Sequence, residues 1–169
     1  MKQTAVVCLV IALLSVACSK HETPPPAASP SPVVTEKPPG DGTLHWRTDF
    51  EAAKAQAHSE KKLLLMLFTG SDWCPPCMML QKDVFSTPEF AQYAAEHLVL
   101  LEVDFPRRKN LSNEQRAANA KVAQQYEIEG FPTVIVLDPN SNPLGKFGYV
   151  PGLGPEKVIE VLEKARKEK

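Results

Sequence analysis

Two cysteines three positions apart, Cys74 and Cys77, stand in the stretch Trp73-Cys74-Pro75-Pro76-Cys77 and are the residues best suited to chemistry in this chain. The apolar run Leu63 to Phe68 gives way to Thr69-Gly70-Ser71-Asp72 just before them, and Cys77 to Lys82 has helix-compatible composition. The pair therefore sits where a buried strand hands over to a helix. Free backbone N–H groups and the positive end of the helix dipole favour an anion at such a point. A cysteine there titrates at about 3.5–7.5, against about 8.5 for a free thiol. A spacing of three places the second sulfur one turn on, facing the first. The chemistry this predicts is thiol–disulfide exchange. A structural staple is the poorer use, because so short a loop removes little unfolded-state entropy.

Strands and helices must hold that pair. Leu44-His45-Trp46 reads as a short β piece, and Thr48-Asp49-Phe50-Glu51 as a capping box opening a helix to about Glu60. Leu63 to Phe68 is apolar without alternation, the pattern of a strand covered on both faces. Thr87 as N-cap with Pro88 at the first helical position starts a helix to about Glu96. A second apolar strand runs from His97 to Asp104, followed by the basic loop Pro106-Arg107-Arg108-Lys109-Asn110. That loop reads as a solvated turn, or as a contact for a partner or lipid headgroups. Ser112 with Gln115 caps a helix to about Tyr126. Val134 to Leu137 is a strand, Asp138 to Asn142 a turn and Leu144 to Val150 a further strand. Gly154-Pro155 opens a last amphipathic helix with Val158, Ile159, Val161 and Leu162 at helical spacing. The order is β-α-β-α-β-α-β-β-α. Helices between strands predict parallel pairing, and the tight turn predicts an antiparallel hairpin at the end, so the fold class is α/β, a mixed central sheet with helices on both faces.

The chain ahead of this domain has a different character. Residues 1–17 read as a signal peptide: Met1-Lys2-Gln3 is a short positive start, and Ala5 to Val16 is apolar except for Ser15. Leu14-Ser15-Val16-Ala17-Cys18 resembles a bacterial lipoprotein box, which would leave Cys18 as a lipid-modified first residue; ordinary signal cleavage nearby is the alternative. Residues 18–42 carry Pro24-Pro25-Pro26, Pro30, Pro32 and Pro38-Pro39 and read as a disordered linker leaning toward polyproline II. The folded domain spans 43–169. Cys8 would leave with the signal and Cys18 would be acylated, which leaves Cys74 and Cys77 as the free thiols expected of the mature chain. An exported protein meets an oxidising compartment, where such a pair exchanges.

The 169 residues are 43% hydrophobic with net charge −1, enough for one folded core and no basis for a nucleic-acid surface. A zinc site usually wants four ligands, and His21, His45, His58 and His97 are scattered. Haem attachment wants His straight after the second cysteine, where Met78 stands. No cofactor and no metal are expected.

From 43 onward the chain resembles thioredoxin, and more closely the thioredoxin-like exported thiol oxidoreductases. Trp73-Cys74-Pro75-Pro76-Cys77 matches W-C-x-P-C at a strand-to-helix junction. Glu129-Gly130-Phe131-Pro132-Thr133 falls where that family has its cis-proline loop, and the element order agrees. The resemblance implies an exposed nucleophile at Cys74 that forms a mixed disulfide, and a more buried Cys77 that resolves it. It implies that Trp73 packs beside the site and shapes docking, a plain core aromatic being the alternative. Pro132 would be a cis-proline facing the disulfide, an ordinary trans turn being the alternative, with Phe131 and Thr133 beside it. Pro76 restricts the helix start, and Pro75 takes the variable position with a residue that has no N–H, so a less oxidising pair is expected. A reductase is thus favoured over an oxidase. A copper chaperone, disfavoured by a proline opposite the sulfurs, and a binding module without turnover are the alternatives. The expected partners are disulfides or dithiols of exported proteins, a membrane electron-transfer partner and, through Cys18, the lipid bilayer. The expected location is the periplasmic side of a bacterial membrane, or else soluble in the periplasm or secreted.

One departure stands out. Thioredoxin has a buried acid on the strand beneath the second cysteine, where this chain has Leu65-Met66-Leu67-Phe68. A substitute role by another route would fall to Asp72, to Glu102 or to water, and a solvated surface carboxylate is the ordinary reading of both acids.

Overall fold

A computed structural model describes residues 44–167. The expected signal peptide of 1–17, the expected lipid attachment at Cys18 and the expected linker of 18–42 lie outside the described residues. The described elements are β1 (Trp46–Arg47), α1 (Phe50–Glu60), β2 (Leu63–Thr69), α2 (Pro75–Leu80), a π-helical turn (Gln81–Phe85), α3 (Pro88–His97), β3 (Leu98–Asp104), α4 (Asn113–Gln125), β4 (Thr133–Leu137), β5 (Pro143–Phe147) and α5 (Pro155–Lys167). They form a five-stranded sheet in the order β1-β3-β2-β4-β5.

All seven residues of β2 are buried, which accounts for its unbroken apolar run. Leu63, Leu65 and Leu67 point to one face, against Leu80, Val84 and Phe85 beyond the cysteines, Phe90 of α3, and Val158 and Leu162 of α5. Leu64, Met66 and Phe68 point to the other, against Ala53 and Ala57 of α1 and Val122 of α4. Period-two alternation thus survives as a division between two cores rather than between core and water.

β3 pairs in parallel with both β1 and β2, whereas β4 runs antiparallel to β2. The expectation of parallel pairing fails here because β3 and β4, although joined by a helix, are not neighbours. β2 lies between them, and the chain re-enters the sheet on its far side in the opposite sense. The predicted hairpin is present: β4 and β5 pair antiparallel, with a register shift between Val136 and Leu137. β5 stops at Phe147 rather than at Val150.

Local signals explain the helix starts with two adjustments. The N-cap of α1 is Asp49, not Thr48; its carboxylate accepts the Ala52 N–H at 2.9 Å. Asp is as good a cap as Thr, and the choice is made by which residue stands in extended backbone. Ser112 caps α4 through the Gln115 N–H, but the Gln115 side chain reaches Thr48 and Asn119, so the reciprocal half of the box is unmade. Thr87 and Pro88 start α3 as expected. The helix that begins at the cysteines does not continue as a plain α-helix. It passes after Leu80 into the π turn, where Ser86 N–H donates to Gln81 O at 2.8 Å and Tyr149 donates to the Asp83 carboxylate at 2.8 Å.

Candidate active site

The C-terminal end of β2 delivers Cys74 to the N-cap of α2, with φ −97° and ψ 104°. Pro75 and Pro76 follow at the first two helical positions and Cys77 at the third. Proline suits the helix start, where an N–H would have no helical partner. Cys74 and Cys77 are joined in a disulfide with Cα atoms 5.3 Å apart. Both prolines lack an N–H, so the first of these residues able to donate is Cys77, whose N–H lies 3.3 Å from Cys74 Sγ.

The two cysteines do not differ in exposure as expected: Cys74 is 3% exposed and Cys77 4%. The Cys74–Cys77 bond sets the two sulfurs against each other at the first turn of α2, so each covers the other. Pro75 and Pro76 stay exposed.

Trp73 is anchored beside the pair. Its indole N–H donates to Phe105 O at 2.7 Å, its ring meets Phe131 edge-on at 6.0 Å, and the Arg107 guanidinium lies 3.8 Å from the ring centroid. Gly70 permits this, since a Cβ there would stand 2.5 Å from the indole. Phe131 also stacks on Phe105 at 5.2 Å. The Phe131-Pro132 peptide bond is cis, Pro132 is buried, and Thr133, also buried, donates its hydroxyl to Gly130 O at 2.8 Å. Thr133 pairs with Phe68, so this loop lies at the same end of β2 as the disulfide.

Sequence reasoning missed the frame that fixes Trp73. Asp104 accepts the Ser71 N–H at 2.9 Å and the Ser71 hydroxyl at 2.6 Å. Asp72 accepts the backbone N–H groups of Arg107, Arg108 and Lys109 at 2.9, 2.7 and 3.0 Å. These bonds, the one from Arg107 foremost, hold its carboxyl below the usual range. Asp72 is therefore a loop clamp, with its oxygens already engaged. The Asp at the hinge and the basic run 35 positions on were both visible, but their partnership has no local signature. Glu102 is different: burial, with Asp104 adding to it and Lys109 opposing, pushes its carboxyl up. Among the described residues no three His, Cys, Asp or Glu side chains gather as a metal site, and no helix is long and apolar enough to cross a membrane.

Comparison with known proteins agrees with this geometry. The sequence profile of the thioredoxin-like domain matches residues 50–166. The disulfide bond reductase DsbH of Chlamydia pneumoniae is 34% identical over 125 residues, covering 74% of this chain and 75% of that protein. A solved structure of a DsbH oxidoreductase superposes with a TM-score of 0.69 at 32% identity, over 84% of this chain and 97% of that one. The thiol:disulfide interchange protein DsbD of Cronobacter sakazakii is 33% identical over 94 residues, 56% of this chain but only 14% of that protein. With paired cysteines at the head of α2 and this fold beneath them, the chain belongs to the thioredoxin-like family of protein-disulfide oxidoreductases.

Proposed function

We propose that this protein reduces disulfides of exported proteins, with Cys74 as the attacking thiolate and Cys77 as the resolving thiol. The Cys74 thiolate attacks one sulfur of a substrate disulfide, forming a mixed disulfide and releasing the other sulfur as a thiolate. Cys77 then attacks Cys74 Sγ; the Cys74–Cys77 bond forms, the bond to substrate breaks, and the substrate leaves with two electrons. A membrane-borne dithiol donor restores the pair.

The observation that carries the reductive direction is the run of prolines at the first two positions of α2. A helix start stabilises a thiolate through its free N–H groups, and this one lacks two of them, leaving the Cys77 N–H as the donor to Cys74 Sγ. A less stabilised thiolate makes the reduced form less favourable and the dithiol a better reductant. The similarity to a protein described as a disulfide bond reductase supports the same direction. Trp73, Phe131, Pro132 and Thr133 would form the docking surface around the pair.

The signal-like run at 1–17 and the lipoprotein-box match ending at Cys18 support a site of action on the periplasmic side of a bacterial membrane, with an acyl anchor and 18–42 as the tether. The test is thiol trapping in the cell together with redox equilibrium against glutathione. A pair found mostly reduced in vivo, and reducing relative to glutathione, is expected; a mostly oxidised, strongly oxidising pair would overturn the direction. Cys77→Ser should accumulate mixed disulfides through Cys74. Equal trapping by Cys74→Ser would overturn the assignment of Cys74 as the nucleophile.

A further inference from the structure

Resolution of the mixed disulfide requires Cys77 to lose a proton, and β2, from Leu63 to Thr69, carries no group that titrates near neutrality. The neighbouring strand does. Glu102 of β3 stands in register with Leu67, which pairs on its other side with Val134. Leu98 and Leu100 share the core of Leu65, Leu67 and Val134, so by alternation Glu102 projects to that same face. This is the face covered by α2, where Leu80 belongs to the core and Cys77, three residues earlier, lies buried on the same side of the helix. Glu102 is half-buried, and among the described residues no hydrogen bond or ion pair reaches its carboxylate.

We propose that Glu102 accepts the Cys77 proton as Cys77 attacks Cys74 Sγ, and returns it when the disulfide is next reduced, a task supplied from β3 instead of β2. The inference rests on the exchange reaction proposed above. In the forward step the proton passes from Cys77 to the Glu102 carboxylate, directly or through one water, and the Cys77–Cys74 bond forms as the Cys74–substrate bond breaks. The departing substrate thiolate takes its own proton from solvent. In the reverse direction protonated Glu102 gives the proton back to the Cys77 sulfur.

The surrounding charges suit that task. On β3, Asp104 repels a second negative charge at Glu102, and Lys109 of the following loop offsets it in part. β2 brings no titratable group, α2 brings Cys77 alone, and Arg47 of β1 lies in register with Leu101, on the opposite face. Desolvation foremost, with Asp104 adding to it, raises the carboxyl above its ordinary range, which makes it a stronger base. Asp72 cannot substitute, since its oxygens hold three backbone N–H groups.

The test is stopped-flow reaction of the reduced full-length protein with a dithiobis-nitrobenzoate disulfide, which releases two thionitrobenzoates in turn. The first reports Cys74 and the second Cys77. Glu102→Gln, near-isosteric and at a half-exposed position, should leave the first release unchanged, which also shows that the variant is folded. It should slow the second about tenfold or more near pH 6–7, within the contribution typical of general bases. The gap should close above about pH 9, where the thiol ionises unaided. The wild-type profile should carry a carboxylate limb that the variant lacks. A second release that superimposes on wild type at every pH, or a loss shared by both releases or constant across pH, overturns the role of Glu102. Absence of the first release from the wild-type protein would instead refute the exchange reaction itself.

Discussion

The two flanks of β2 reach the disulfide by different means. On the β3 side the contacts are directional: Ser71 binds the Asp104 carboxylate, Asp72 binds three consecutive backbone N–H groups, and the Trp73 indole N–H binds Phe105 O. On the β4 side Phe131 meets Trp73 and Phe105 through ring contacts, and the polar bond nearby, Thr133 to Gly130, is internal to its own turn. Directional bonds fix where Trp73 stands; ring contacts fix only the shape of what stands against it. The β3 flank is thus the frame of the site and the β4 flank its face.

Substitutions that strike each flank separately test this division. A large effect is expected from Gly70→Ala, whose Cβ would stand 2.5 Å from an indole that the frame does not allow to retreat. Overpacking of this kind costs about 1–3 kcal/mol. A urea denaturation midpoint that does not move would mean that Trp73 yields easily and that the frame is weaker than drawn. Phe131→Ala should cost about 0.5–1.5 kcal/mol for each of its two ring pairs beyond its lost buried area, and should slow exchange with protein substrates more than with a small disulfide. Equal slowing of both substrates would remove Phe131 from the docking face. Arg107→Ala should lose about 0.5–1 kcal/mol of cation–π contact, read as a small drop in thermal midpoint, while Asp72 continues to hold the loop backbone.

The smallest effect is a local response to pH. The Asp72 carboxyl lies below its ordinary value of 3.8 because three N–H groups bind the charged form. A depressed carboxyl contributes stability that is present above its unfolded value and is lost as pH falls through the folded one. Amide exchange at Arg107, Arg108 and Lys109 should therefore remain slow down to about pH 4 and quicken below it, relative to exchange in β2. Uniform quickening across the domain would show that the clamp and the sheet open together.

Much of this arrangement is legible in the chain itself. The unbroken apolar run at Leu63 to Phe68 can only be a doubly covered strand, and the spacing of Cys74 and Cys77 after it defines the chemistry. Thr87-Pro88 marks a helix start with little ambiguity. What is not legible depends on contacts between distant segments. Asp72 pairs with residues 35 to 37 positions away, and Glu102 gains its interest from standing in register with Leu67, a relation that exists only once the strands align. The sense of β4 is likewise decided by which strand it sits beside, not by the helix that precedes it. Asp49 displaced Thr48 as cap because neighbouring residues with similar capping power are separated only by backbone angle.

The paired prolines at the head of α2 also bear on how another protein can lie across this surface. A helix start ordinarily presents several N–H groups that water satisfies and that a covering partner must dehydrate, at a cost unless it supplies acceptors. Pro75 and Pro76 are exposed and have no such hydrogens to give up. The rim around the disulfide can therefore be dried by chains of many sequences without demanding a matching acceptor from any of them.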